Sequence, residues 1–206
     1  THAAGTTTQI DTITGNGSLN KESAGNLNLG DASLNGLTLK GGGVTTISGT
    51  VTVSNHFSLG KETVNLVEGA DVTVARYTSG NTANSQPTQL SIGTGASLTV
   101  TGNNDADATN ASFLLAHWGS SPSSLKLNGG TLTAEKTSLM MGWDSAATFE
   151  ATAGTAKLKG IRFSTARGNE DSLILGSAES GSARINLGSA GISGIGTNDK
   201  VLLGNG

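Results

Sequence analysis

The chain has 206 residues, a formal net charge of −3, 31 Gly, 2 Pro and no Cys, with 13% charged and 3% aromatic residues. The lack of Cys excludes disulfides and thiolate metal sites, and a near-neutral charge without a basic stripe argues against a nucleic-acid partner. No run of 18 apolar residues is present, so no membrane-spanning helix is predicted. Abundant Thr, Val and Ile with little Pro favour short strands and tight turns over disorder.

Apolar and polar residues alternate with a period of two along most of the chain, which is typical of half-buried strands. No stretch of 11 or more residues has helical periodicity. Most of the predicted strands span 3–6 residues and end in Gly, as expected at a turn or corner. In chain order, the clearest are NLNLG (26–30), TVTVS (50–54), TVNLVEG (63–69), QLSIG (89–93), SLKLNG (124–129), SLMMG (138–142), SLILG (172–176) and RINLG (184–188).

A short unit of the form apolar-x-apolar-Gly recurs at intervals near 30 residues. It ends at Gly30, Gly60, Gly93, Gly142, Gly176 and Gly204. About 30 residues with three short strands match one coil of a parallel β-helix, in which inward apolar side chains stack between coils. Six to seven such coils would use the whole chain. The alternative is an antiparallel β-sandwich, which also has short alternating strands and Gly turns.

Two polar stretches interrupt the alternation and are predicted to be loops that bulge from the stack. They are TSGNTANSQPT (78–88) and GNNDADATN (102–110). Residues 1–206 are therefore expected to form a single β-helix segment. Because the chain stops directly after the strand-like run KVLLGNG (200–206), we expect it to be a piece of a longer protein.

Three stretches resemble the autotransporter-associated β-strand repeats of large exported bacterial proteins. They are GASLTVTG (95–102), LNGGTLTA (127–134) and SLMMG (138–142). The resemblance implies a right-handed parallel β-helix and export to the bacterial cell surface, the outer membrane or the extracellular space. It implies no catalytic residues.

The two Trp residues are the main candidates for ligand binding. Trp118 and Trp143 are 25 residues apart, and each lies beside the Gly of a repeat unit. On one exposed face they would form a platform for stacking sugars, with His117 and Asp144 as polar neighbours. The favoured alternative is that one or both Trp side chains fill the core. Arg162, Arg167 and Arg184 are candidates for an anionic glycan, although solvated positions are the favoured interpretation.

The acidic loop at 102–110 is the candidate for a metal site. Asp105 and Asp107 lie within NNDADATN, which has several oxygen-bearing side chains, and Ca²⁺ takes 6–8 oxygen ligands. The loop lacks the spacing of an EF-hand, so solvated acids are the favoured interpretation. No other cofactor is expected.

These patterns favour a non-catalytic structural or adhesive segment of an exported bacterial surface protein. The first alternative is a glycan-binding module, and the second is a polysaccharide lyase or hydrolase, which requires converging carboxylates. Expected partners are host or microbial glycans or surface proteins. End-to-end self-association is also expected, because the terminal strands of a stack have unpaired edges.

Overall fold

The computed structural model describes residues 5–80, 86–105, 110–117, 119–164, 169–176 and 182–204. This part of the chain forms sixteen strands and no helix, so the predicted all-β class is confirmed. The strands are β1 Thr7–Thr14, β2 Ser18–Lys21, β3 Asn26–Leu39, β4 Val44–Ile47, β5 Thr50–Leu59, β6 Thr63–Leu66, β7 Asp71–Thr78, β8 Thr88–Gly93, β9 Ser97–Val100, β10 Phe113–Leu115, β11 Ser123–Ala134, β12 Leu139–Met141, β13 Ala147–Phe163, β14 Ser172–Leu175, β15 Ala183–Ser193 and β16 Lys200–Leu203.

Alternation places one side of each strand in a common core. In β6, Val64 and Leu66 are fully buried while Thr63 and Asn65 are half-buried on the outer side. The pattern recurs along the chain, because successive side chains of a strand point to opposite faces. The buried apolar side chains form one continuous cluster from Leu27 to Leu173.

The strands pair in parallel and form three stacks. Within a stack, each strand pairs with a strand from the next passage of the chain, and we call each passage a level. The first stack contains β1, β3, β4, β6, β8, β11, β13, β14 and β16. The second contains β1, β3, β5, β7, β9, β11, β13 and β15. The third contains β2, β3, β5, β7, β10, β12, β13 and β15.

The spacing between levels differs from the predicted 30 residues. Leu27 lies opposite Thr45 and Val44 lies opposite Thr63, so a level takes 18–19 residues near the start of the chain. Gln89 lies opposite Ser124, 35 residues later, so the number of residues per level varies along the chain.

The predicted fold, a right-handed parallel β-helix of six to seven coils with three short strands each, is wrong. The long strands β3, β5, β7, β11 and β13 run without a break from one stack into the next, so the stacks share strands. The pairing therefore closes on itself as a ten-stranded parallel barrel, in the order β3–β4–β6–β8–β11–β13–β12–β10–β7–β5 and back to β3, with six further strands outside it. The antiparallel sandwich is also wrong, because the pairs are parallel.

Gly was expected to end most strands, and a strand does end at or directly before Gly60, Gly93, Gly142, Gly176 and Gly204. The exceptions lie inside long strands. Gly129 and Gly130 lie inside β11, and Gly30 lies inside β3. Gly129 has φ +112°, which L-residues rarely adopt, and a Cβ on Gly130 would overlap the carbonyl oxygen of Gly93. These Gly residues let a strand bend and continue where a side chain would not fit.

Apolar side chains are exposed where the described chain ends. Ile195, Leu202 and Leu203 have exposed fractions of 54%, 47% and 70%.

In the described ranges, no helix of sufficient length and apolarity to cross a membrane is found.

Candidate functional site

The candidate site lies on the outer face of the third stack, where the outward positions hold both apolar and polar side chains. Leu114 of β10 lies opposite Met140 of β12, Met140 lies opposite Arg162 of β13, and Arg162 lies opposite Ser193 of β15. Each of the four occupies the outward position of its strand. Leu114 and Met140 are nevertheless buried, so other parts of the chain cover this face.

A small apolar cluster forms under that cover, separate from the main core. It consists of Ala111, Leu114 and Met140, with Trp143 packed against them, and we call it the outer cluster. Trp143 is half-buried, so part of its indole ring is accessible to solvent. The predicted ligand-binding residue therefore lies at the edge of an apolar patch.

A groove of about 270 Å³ adjoins the outer cluster, and we call it the Asp105 groove. Ala111 and Met140 belong to both features, so the groove lies next to the cluster on which Trp143 packs. The groove is lined by Asp105, Ala111, Ser138, Met140, Lys159, Arg162, Ala190 and Ser193.

Asp105 is held in place by three donors. Its Oδ1 accepts hydrogen bonds from Thr137 Oγ1 at 2.8 Å and from the Ser138 amide at 2.7 Å, and its Oδ2 accepts one from Lys159 Nζ. Burial raises the pKa of Asp105, but the hydrogen bonds from Lys159, Ser138 and Thr137 together outweigh burial and leave the pKa below its ordinary value. The carboxylate therefore stays ionised and orients Lys159.

Arg162 is the charge in the groove that remains unneutralised. Its side chain is exposed, and within the described ranges it has no carboxylate or hydrogen-bond partner. Among the described residues that line the groove, Asp105 and Lys159 form an ion pair, so Arg162 is the charged side chain left without a partner. The surface thus combines an aromatic edge with an available guanidinium.

The other predicted site residues do not line the Asp105 groove, or they lie outside the described residues. His117 is buried, with 2% of its surface exposed, so it does not line a surface site. Asp144 is half-buried, and its amide donates a hydrogen bond to the carbonyl of Ala116. Trp118 and Asp107 lie outside the described residues. The paired Trp platform therefore stays a prediction.

The proposed Ca²⁺ site also stays a prediction. Both carboxylate oxygens of Asp105 accept hydrogen bonds, one of them from a cation. Over the ranges that the structure describes, no group of three or more His, Asp or Glu side chains is arranged to hold a metal ion. Asp105 instead fastens residues 102–105 to the start of β12 and to β13.

Sequence reasoning missed Lys159 and Ser138 as site residues. Lys159 lies 54 residues from Asp105, within the ordinary alternation of AKLKG (156–160), and nothing local relates the two. Only the pairing of β12 with β13 brings them together.

A second ionisable group, Asp171, is buried close to the outer cluster. Its Oδ1 accepts a hydrogen bond from the Ala147 amide at 2.8 Å, and its carboxylate packs so closely on Gly142 that a Cβ there would overlap it. Burial is the largest influence and raises the pKa of Asp171 to about 6, against a lowering by the hydrogen bond from the Ala147 amide and with a smaller raising by repulsion from Asp199. In the described part of the chain, Oδ2 has no hydrogen-bond partner.

Replacing Asp171 by Asn is expected to stabilise the protein at neutral pH. Because the folded pKa is raised, the stability contributed by protonation is present below the unfolded pKa, near 4, and is lost as pH rises through about 6. Asn keeps the acceptor for Ala147 and carries no charge. We expect Tm of Asp171→Asn to exceed that of wild type by about 2–4 °C at pH 7.5.

Thermal unfolding of both proteins from pH 4 to 7.5 measures this difference, which is expected to shrink towards pH 4. Glu170→Gln is the neighbouring control, since the side chain of Glu170 is 70% exposed. A difference in Tm that is independent of pH would show that Asp171 does not titrate as described.

Comparison with protein-family models, with characterised proteins and with solved structures finds no match for this chain.

Proposed function

We propose that this chain is a non-catalytic structural and adhesive segment of an exported bacterial surface protein. The observation that carries the proposal is the outer row of the first stack, in which one side chain from each level points outward in register. The row is Gln9, Asn28, Thr46, Asn65, Ser91, Lys126, Glu150, Ile174 and Leu202. Parallel strands lie about 4.8 Å apart, so the nine paired strands of this row cover about 40 Å of sheet.

The row supports adhesion because its side chains are regularly spaced and rich in amides and hydroxyls. The first five residues of the row carry uncharged polar side chains, and the next two, Lys126 and Glu150, form an ion pair at 3.6 Å. A surface of this kind offers many weak polar contacts in a fixed array. Export and a cell-surface location are supported by the resemblance of LNGGTLTA and SLMMG to autotransporter-associated repeats.

Surface display tests the proposal. The full chain is attached to an unrelated anchor on a non-adherent bacterium, and cells retained under flow are counted on surfaces coated with host glycoproteins or with microbial polysaccharides. We expect retention several-fold above that of cells carrying the anchor alone. Clumping of cells without surface retention would instead indicate association through the exposed apolar end at Ile195, Leu202 and Leu203.

Equal retention with and without the displayed chain would contradict adhesion, provided that protease resistance shows the displayed chain to be folded. Substituting Asn65 and Ser91 with Lys breaks the neutral part of the outer row without touching the core, since both side chains point outward. We expect this double variant to lose most of the retention.

A second candidate function is recognition of glycans through the outer cluster. It is favoured by the half-exposed Trp143 beside the Asp105 groove, since an aromatic ring next to polar and charged side chains suits the two faces of a sugar ring. In this case adhesion depends on one patch rather than on the outer row.

A further inference from the structure

We propose that the Asp105 groove binds the carboxylate of an acidic sugar, such as a uronate residue within a polysaccharide, with Arg162 as its anion-binding group. The inference rests on the second candidate function and names the class of glycan. It is carried by the juxtaposition of an unneutralised guanidinium, two serine hydroxyls and an adjoining Trp.

The charges in the groove favour an anion. Asp105 is already bound by Lys159, Thr137 and Ser138, so its carboxylate has little capacity to attract a second cation. Arg162 is exposed, and in the described part of the chain its five N–H donors have no partner. A planar guanidinium pairs best with a carboxylate or phosphate, with which it forms two parallel hydrogen bonds.

The remaining lining distinguishes a sugar acid from a bare anion. Ser138 and Ser193 place hydroxyl groups at the groove, while the exposed Ala190 supplies apolar surface and the nearly buried Ala111 and Met140 lie at its base. A sugar ring presents hydroxyls at its edge and C–H groups on its face, and both kinds of contact are available here. The volume of about 270 Å³ is just below the usual range of about 300–1,000 Å³ for ligand pockets, which suits one sugar ring rather than a longer segment.

The groove is held in shape before any ligand binds. Asp105 connects residues 102–105 with β12 and β13, and the register Met140–Arg162–Ser193 is fixed by backbone pairing. A rigid site loses less conformational entropy on binding. Trp143 packs on the outer cluster next to the groove and is half-buried, so the next sugar of a chain would stack on its exposed part.

Calorimetric titration with oligogalacturonate and with a neutral oligogalactan of equal length tests the proposal. We expect wild type to bind the acidic oligomer, with an affinity that falls as NaCl is raised, and to bind the neutral one at least about tenfold more weakly. Arg162→Gln is expected to weaken binding of the acidic oligomer about tenfold. Arg162→Lys should recover only part of it, because Lys lacks the planar fork.

Arg184→Gln is the matched control, since Arg184 is also an exposed Arg on an outer strand but contacts Asn186 rather than the groove. It is expected to bind as wild type does. Because Arg162 is exposed, its substitution should leave the fold intact, and circular dichroism checks this.

Equal affinity for both oligomers, lost on Trp143→Ala, would overturn the acidic specificity while leaving glycan recognition standing. If Arg162→Gln and Arg184→Gln weaken binding of the acidic oligomer equally, the binding arises from the general charge of the protein. That result would overturn the proposed site. No binding of either oligomer would overturn both the inference and the second candidate function, whereas the flow assay judges adhesion independently.

Discussion

Replacing Glu62 by Ala is expected to lower the free energy of unfolding by about 3–5 kcal/mol. Glu62 is 1% exposed, and its Oε1 accepts hydrogen bonds from Lys21 Nζ at 2.6 Å and from Thr45 Oγ1 at 2.9 Å. Its Oε2 accepts hydrogen bonds from the amides of Gly42 and Gly43 at 2.9 and 3.2 Å. One carboxylate thus satisfies four donors on the preceding levels.

The expected loss of stability arises from the groups that Glu62→Ala leaves without a partner. Without Glu62, Lys21 remains an uncompensated charge with only 8% of its surface exposed, and the two amides lose their acceptor. A buried charge that has lost its partner is far more costly than an exposed one. Urea unfolding, followed by circular dichroism, measures the change.

Two further variants separate charge from hydrogen bonding. Glu62→Gln keeps an acceptor oxygen but removes the charge, so we expect a smaller loss than for Ala. Glu150→Ala is the exposed control, because Glu150 and Lys126 form a partly exposed pair at 3.6 Å, and such pairs contribute about 0–1 kcal/mol. If Glu62→Ala and Glu150→Ala destabilise equally, the Lys21–Glu62 pair does not hold these levels together.

Truncating Phe113 to Ala is expected to destabilise the fold by about 3–5 kcal/mol. Phe113 is fully buried, and its ring meets the edge of Tyr77 with centroids 5.6 Å apart and planes at 85°. Tyr77 packs in the same way on Phe57, also at 5.6 Å. The three rings fill the core behind β5, β7 and β10, so removal of the last ring leaves a cavity beside Tyr77.

Urea unfolding again measures the effect, and Phe113→Leu is the conservative comparison, with an expected loss well below that of Ala. Leu203→Ala is the control for a large apolar residue outside the core, since Leu203 is 70% exposed. It should change stability by less than about 0.5 kcal/mol. A small effect of Phe113→Ala would mean that the core collapses around the missing ring.

The Phe113 variant also bears on the candidate site. Its neighbour Leu114 points outward into the outer cluster, so β10 connects the main core with the surface that carries Trp143. A Phe113→Ala protein that stays folded should therefore keep Arg162 in place, since Arg162 is positioned by β12 and β15.

The sequence by itself determined which residues form strands and which side chains face the core. Val64 and Leu66 are buried and Asn65 is not, because alternation is a local property of an extended chain and two or three neighbours suffice to express it. The loop predicted at 102–110 from its polar composition is without strand over its described residues 102–105. Trp143 was recognised because aromatic residues are rare in this chain.

The tertiary structure alone decided how the strands are joined and which residues meet. The sequence does not show that β11 continues through Gly129 and Gly130, because a Gly in a strand pattern predicts a bend as readily as an end. That continuity closes the sheet. Contacts such as Lys21 with Glu62 and Lys159 with Asp105 span 41 and 54 residues. They depend on the register between levels, which is set by core packing and by insertions of irregular length, and no local pattern records either.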